Sequence, residues 1–373
     1  MLNIVDITFH ANTEYADSRE LVKAQHTSLL YLGYCAGRAN ITVIKHYLRK
    51  KECLENFGPY LFFKGNNRFG FFSVKTLQHI KTIQPDIVLV RGLIFPVQVL
   101  ALRIWLGRKV KILVRHHADH PFRGARKKIQ QLADHCIDAY LFTSKVLAET
   151  WIQQRIIRKP ENIIELPATL TSFSKQDKNA SRKLLLLPDS PVYLWVGRLH
   201  PIKDPLTVLK AFDLFLVIQP EASLHMVFQS EELIAEIKTA IAASEKLTAS
   251  VFLHGAQPYE KMCYWYSSAD FFISASYSEG GSAAILEAMA CGCIPIVSRI
   301  PASMQVIAHG LYGLQFAAGN SNELLKRLLD SSEMDTREMS AAVQNHFLKT
   351  YSAQAVTDKL MEACMLISGK QCA

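Results

Sequence analysis

"SADFFISASYSEGGSAAILEAMACGCIPIVS", residues 268–298, decides the fold. DFFISA (270–275) and IPIVS (294–298) are short, continuous apolar runs. The apolar segment between them is long enough to be a helix. Such runs joined by helical segments read as parallel strands buried on both faces. Glu287 sits in the middle of that apolar helix, where a carboxylate is costly without a partner. Glu279 lies in the preceding loop, across Gly280 and Gly281, and Ser282 is placed to cap the helix. Glycines there let backbone N–H groups approach a ligand closely.

Working outward, the pattern recurs. One series of apolar runs comprises 2–9, 41–45, 86–90, 110–114 and 138–142, with helix-period segments such as 18–34 and 144–153 between them. A second comprises 192–196, 224–228, 250–254, 270–275 and 294–298. Two series imply two doubly wound α/β domains. The polar stretch PATLTSFSKQDKNASRKLLLLPDS (167–190) marks the break. The expected boundaries are 1–170 and 171–345. HFLKTYSAQAVTDKLMEACML reads as one long amphipathic helix, so 346–373 is expected to cross back to the first domain.

Composition supports an ordinary globular protein: 373 residues, 49% hydrophobic and 20% charged. The eight cysteines are scattered, and Cys291 and Cys293 lack zinc or redox spacing, which points to a reduced, cytoplasmic protein. MLNIVDITFH has no signal-peptide pattern and reads as a first strand. The strongest candidate for a membrane span, IVLVRGLIFPVQVLALRIWL (87–106), is interrupted by Arg91, Pro96 and Arg103. It reads as a buried strand followed by an apolar helix.

Charge is uneven. Residues 1–150 hold 22 Lys+Arg against 11 Asp+Glu, a net of +11, and residues 151–373 hold 20 against 22, a net of −2. The basic half suggests an anionic partner such as a membrane face or a lipid-linked phosphate; a solvated basic surface is the alternative.

Ligands of open parallel sheets bind beyond the carboxyl ends of the strands. In VGRLHPIKDP (196–205) a strand ends at Gly197, and Asp204-Pro205 is a helix start, placing Arg198 and Lys203 in the loop at the helix's positive end. A planar guanidinium and a point-charge ammonium suit a diphosphate. A solvated basic loop is the alternative. Two carboxylates further on suit the paired hydroxyls of ribose or hexose; an internal salt bridge for Glu287 and a solvated loop position for Glu279 are the alternatives.

VGRLHPIKDP, followed by SADFFISASYSEGGSAAILEAMACGCIPIVS, resembles the retaining, nucleotide-sugar-dependent glycosyltransferases of family 4, which have the GT-B fold. That family's second domain carries Gly-Arg, four residues, Lys, and later Glu, seven residues, Glu. Here these are Gly197, Arg198, Lys203, Glu279 and Glu287, and AHGLYGLQFAAGN (308–320) adds the family's Gly-rich stretch. The resemblance implies that Arg198 and Lys203 hold the donor diphosphate. Glu287 would take the ribose hydroxyls and Glu279 those of the transferred sugar. The backbone at Gly280, Gly281, Ser282 and Ala283 would face sugar and phosphate. In VKILVRHHADHPF (110–122) it implies a sugar-contacting histidine, His117 or its neighbour His116, and His10 after the first strand is a further acceptor-side candidate.

Three stretches depart from the family pattern. FHANTEYADS (9–18) replaces a glycine-rich loop, VFQSEE (227–232) a Gly-x-Gly, and RIPAS (299–303) a Gly-Gly.

The resemblance implies a retaining transfer in the cleft between two domains, from a nucleotide-diphosphate sugar to a glycan or lipid-linked acceptor in surface polysaccharide or glycolipid synthesis. No resident cofactor, metal or nucleic acid is expected, and peripheral contact at the inner membrane face is. A sugar-nucleotide epimerase or phosphorylase of the same fold, or a non-catalytic glycan- or nucleotide-binding module, are the alternatives.

Overall fold

The computed structural model describes residues 1–12, 30–47, 54–57, 59–64, 74–116, 119–167, 170–279 and 283–370. These contain fourteen strands: β1 (Leu2–Asn12), β2 (Ala39–Tyr47), β3 (Leu54–Phe57), β4 (Tyr60–Lys64), β5 (Ile87–Arg91), β6 (Lys111–Arg115), β7 (Ala139–Phe142), β8 (Ile163–Glu165), β9 (Val192–Gly197), β10 (Ser223–Phe228), β11 (Val251–Gly255), β12 (Phe271–Ser274), β13 (Ile294–Ser298) and β14 (Leu314–Phe316). They form two sheets, ordered β3-β4-β2-β1-β5-β6-β7-β8 and β11-β10-β9-β12-β13-β14. The pairings are parallel except β3–β4, an antiparallel edge pair on an otherwise parallel sheet. Both sheets are doubly wound, so each unit is α/β as expected.

The chain divides into a unit of Met1–Leu170 with Ala353–Ala373, and a unit of Thr171–Ser352. The second unit runs past the expected end at 345. The helix Thr336–Thr350 continues through that position, and Phe347 and Tyr351 are buried in the second unit's core. The expected single C-terminal helix is therefore two. The chain breaks at Tyr351–Ser352, and Ala353–Ser368 begins a new helix that belongs to the first unit.

In the first unit, alternate residues of each strand serve opposite faces. Val5, Ile7, Val88, Val90 and Ile112 fill one core, and Leu2, Ile4, Leu89 and Leu113 another. The helix Ala353–Ser368 covers the second face through Val356, Leu360 and Met361. Farther along that face Asp6 is fully buried. The Arg91 guanidinium grips it through two 2.7 Å bonds and the Tyr31 hydroxyl also donates to it. Arg91 is thus a structural counter-ion at the end of β5, and the chain turns at Gly92 into the helix Pro96–Leu106. Arg103 in that helix is spent on the carbonyls of Cys136 and Val110 and on Asp138. Among the described residues no helix is long and apolar enough to cross a membrane. The segment expected as the helix 18–34 falls largely outside the described residues; Tyr31–Tyr34 is helical.

In the second unit the central strands β9, β10, β12 and β13 are apolar because helices cover both faces. β9 pairs with β10 on one side and β12 on the other, so the order of connection reverses between β9 and β12. At such a switch point the flanking loops diverge beyond the carboxyl ends and leave a crevice.

Candidate functional site

At that crevice the second unit has a cavity of about 470 Å³. Each wall follows from a strand end. β9 supplies Trp195, Val196 and Gly197, and the chain leaving it supplies Arg198 and Lys203. The end of β10 supplies Val227, Phe228 and Gln229. β12 and the loop after it supply Ser274, Ser276 and Glu279, and the helix Ala283–Ala290 supplies Ala283 and Glu287. The helix Tyr259–Ser268 closes the apolar side with Tyr259, Met262 and Tyr266. The structure therefore brings Gly197, Arg198, Lys203, Glu279, Ala283 and Glu287 into one cavity. Gly280, Gly281 and Ser282 lie outside the described residues.

Arg198 is exposed, and among the described residues its guanidinium has no hydrogen-bond or ion-pair partner. A fork of donors held at a cavity wall and committed to no protein acceptor is available to an anion. Lys203 lies 2.5 Å from Glu279 Oε1, which also accepts from the Ser276 hydroxyl at 2.6 Å. Both side chains of this pair are mostly buried, at 21% and 15% exposed. The helix Pro205–Phe215 begins as expected, with Pro205 in its first turn and Asp204 as its cap. The Asp204 carboxylate accepts from the Thr207 amide, so this helix offers a ligand less positive charge than an uncapped one would. The uncompensated positive charge on this side of the cavity is that of Arg198, while Lys203 is paired with Glu279.

Glu287 has a different environment. It is half-buried, and its Oε2 accepts from the Tyr266 hydroxyl at 2.9 Å. Among the described residues no cation lies within ion-pair distance of it. Burial pushes its pKa up to about 7, and the Tyr266 bond offsets only part of this. Tyr266 itself is fully buried, and both burial and the neighbouring carboxylate hold its own pKa well above the ordinary 10. Glu287 is thus an acceptor kept in a pocket that favours its neutral form, a cost that its one hydrogen bond to Tyr266 offsets only in part.

Gly197 is demanded by contact rather than by dihedral angle. A Cβ there would lie 3.1 Å from the Trp195 ring, which lines the same cavity.

Two of the acceptor-side histidines are among the described residues, both in the first unit. His116, in the first unit, is 7% exposed and stacks on Phe142 with ring centroids 4.7 Å apart. Trp151 meets its edge, its Nε2 lies 3.1 Å from the Asp119 carbonyl, and burial lowers its pKa. That ring is committed to the first unit's core, which leaves little of it for an acceptor. His10 is exposed near the end of β1. His117 lies outside the described residues.

Sequence reasoning missed Tyr266, Ser276 and Gln229. Tyr266 is 21 residues from the glutamate it touches, so no local spacing signals it. Ser276 sits three residues before Glu279, a proximity that composition alone does not single out. Gln229 stands in VFQSEE, a stretch noted above for departing from the family pattern.

Comparison with known proteins agrees with this geometry. Residues 176–346, which include every residue of the cavity, match the family of glycosyl transferases group 1. Over 152 residues the chain is 29% identical to D-inositol 3-phosphate glycosyltransferase 2 of Catenulispora acidiphila, covering 39% of this chain and 36% of that protein. The chain thus spans little more than a third of the length of the curated relatives it matches. Among solved structures it resembles a glycosyltransferase from Rickettsia africae, with 16% identity, a TM-score of 0.74, and 98% of each chain covered. It also resembles Anabaena HepE in complex with UDP, with 15% identity, a TM-score of 0.68, and 97% and 99% covered. At these identities the solved structures speak for the fold.

Proposed function

We propose that this chain, a group 1 glycosyltransferase over residues 176–346, transfers a sugar from a nucleotide-diphosphate donor to a glycan or lipid-linked acceptor with retention of configuration. One observation carries the reading: two cations from one strand-to-helix connection and two carboxylates from another line a single cavity at the sheet's switch point. In it Arg198 and Lys203 grip the diphosphate and offset the charge that builds on the leaving nucleotide. Glu287 accepts from the ribose hydroxyls, held in place by Tyr266. Glu279 accepts from the transferred sugar. Lys203 and Glu279 pair with each other in the free protein, so donor binding gives each a new partner: phosphate for the ammonium, hydroxyls for the carboxylate.

At the anomeric carbon the bond to the acceptor oxygen forms as the bond to the diphosphate oxygen breaks, and the acceptor hydroxyl's proton passes to the departing diphosphate. The work is positioning plus stabilisation of the leaving group, and no side chain is assigned as a base. The two cations take the place a divalent metal would fill, and the donor is a substrate, so the reading has no resident cofactor or metal. The acceptor side belongs to the basic first unit. That favours an acceptor linked to lipid in surface polysaccharide or glycolipid synthesis, with the protein in the cytoplasm at the inner face of the membrane.

The test is nucleotide release from UDP-, GDP- and ADP-sugars with and without lipid-linked and free glycan acceptors, with the product anomer read by NMR. Acceptor-dependent release and an unchanged anomer are expected. Conversion of the donor without any acceptor would overturn the transferase reading in favour of an epimerase.

A further inference from the structure

The helix Pro96–Leu106 of the first unit is apolar on both sides. Pro96, Val99 and Leu102 are buried. On the outward side Val97 (50% exposed), Ile104 (83%) and Trp105 (37%) face solvent, and Ile94 lies just ahead of them. The neighbouring helix Gly124–Ala133 adds exposed Ile129 and Leu132. A stripe of large apolar side chains over two adjacent helices is more than scattered exposure and marks an interaction surface.

Its charge says which kind. Residues 94–132 hold nine Lys+Arg and one acid, Asp119. Asp119 is spent on the Leu93 amide, and Arg103 and Arg115 on internal acceptors. Arg108 and Lys109 are exposed just after the first helix, Arg123, Arg126 and Lys128 are exposed at the start and along the first half of the second, and Lys127 is half-exposed. The second unit offers a contrast: exposed Leu214, Val217 and Ile218 stand among both signs, with Lys210 beside Asp213 and Glu221. The helix Pro96–Leu106 has 11 residues, about 16 Å at 1.5 Å per residue, roughly half a bilayer's hydrocarbon core. It can lie in an interface but not cross one. Tryptophan is enriched at that depth, where one end of its ring is apolar and the other wet.

We propose that this face of the first unit docks on an anionic lipid bilayer. Ile104, Trp105, Ile129 and Leu132 enter the headgroup region, and the cations of Arg108, Lys109, Arg123, Arg126, Lys127 and Lys128 rest on lipid phosphates. The inference deepens the acceptor side of the proposed function, because a lipid-linked acceptor lies on such a surface. Its test uses no donor, so it fails separately from the transferase reading.

The structure also supplies the reporter. Trp151, Trp195 and Trp265 are 1–3% exposed, which leaves Trp105 as the exposed tryptophan. The full-length protein is mixed with vesicles of phosphatidylcholine, or of phosphatidylcholine plus phosphatidylglycerol, each containing lipid brominated along its acyl chains. Quenching of Trp105 and co-sedimentation are expected with the anionic vesicles, falling as salt rises. Each cation near an anionic surface is worth about fivefold in partitioning, so Arg126→Ser, Lys127→Ser and Lys128→Ser together should lower it about a hundredfold. Ile104→Asp, which keeps the reporter, should abolish quenching while thermal melting stays unchanged. Equal binding to both vesicle types, absence of quenching in either, or unaltered binding by these variants would overturn the proposal. So would self-association through the face that persists in the presence of anionic vesicles.

Discussion

Replacing Glu287 with glutamine removes a carboxylate that the cavity holds against its own preference. The unfolded chain ionises this group near the ordinary value of 4.5, and the folded protein near 7. Between those values the folded state keeps the proton that the unfolded state has released, so stability falls as pH rises through the window. The loss is complete above pH 7 and absent below 4.5. The rise from 4.5 to about 7 corresponds to about 3 kcal/mol. Glutamine cannot ionise, and its carbonyl still accepts from the Tyr266 hydroxyl. Glu287→Gln should therefore stabilise the second unit by up to about 3 kcal/mol at pH 8.5. At about 2–4 °C per kcal/mol for a unit of this size, that raises Tm by about 6–12 °C. At pH 5 the two proteins should melt within about 2 °C of one another. The same substitution should weaken nucleotide binding, since a carboxylate accepts from a diol better than an amide does. The assay is circular-dichroism melting of both proteins from pH 5 to 8.5. An equal Tm difference at both ends, or a variant less stable at pH 8.5, would refute the reasoning.

Arg198→Ala should leave stability within about 0.5 kcal/mol, because the side chain is exposed and unpartnered among the described residues, yet lower kcat/KM by about 100- to 1000-fold in a donor turnover assay. Lys203→Met and Glu279→Gln should each destabilise the free protein, and the double variant should cost less than their sum by about 1–2 kcal/mol in urea unfolding, since each single change strands the other partner. Gly313→Ala should cost roughly 2–4 kcal/mol by the same measurement, because its Cβ would lie 2.6 Å from the Pro295 carbonyl oxygen, a backbone atom with nowhere to move.

Much of the second unit was legible because its chemistry is local. Gly197, Arg198 and Lys203 are bound together by one strand-to-helix turn, and Glu279 and Glu287 by another, so spacing along the chain carries over into space. The partners that set their electrostatics are not local. Tyr266 reaches Glu287 from another helix, and Lys203 meets Glu279 across 76 residues. The central strands were readable as apolar runs. The three-residue strands β8 and β14 are too short to show a period, and β3 is a four-residue strand at the sheet edge. The break at Tyr351–Ser352 carries no glycine or proline. It follows from tertiary contact: the Tyr351 hydroxyl donates to the Gln305 carbonyl at 3.1 Å and its ring is buried in the second unit, while the next helix packs in the first. His116 shows where a local reading runs short. His116 stands at a strand end, where function is sought, and the fold uses it as core.

The central claim is that the cavity at the end of β9 and β12 is a nucleotide-diphosphate site. Calorimetric titration of UDP, GDP and ADP into the wild-type protein and into Arg198→Ala and Glu287→Gln tests it most directly. One nucleoside diphosphate should bind one to one and lose about tenfold or more in affinity with either substitution. Absence of binding by all three, or binding that both substitutions leave intact, would contradict it.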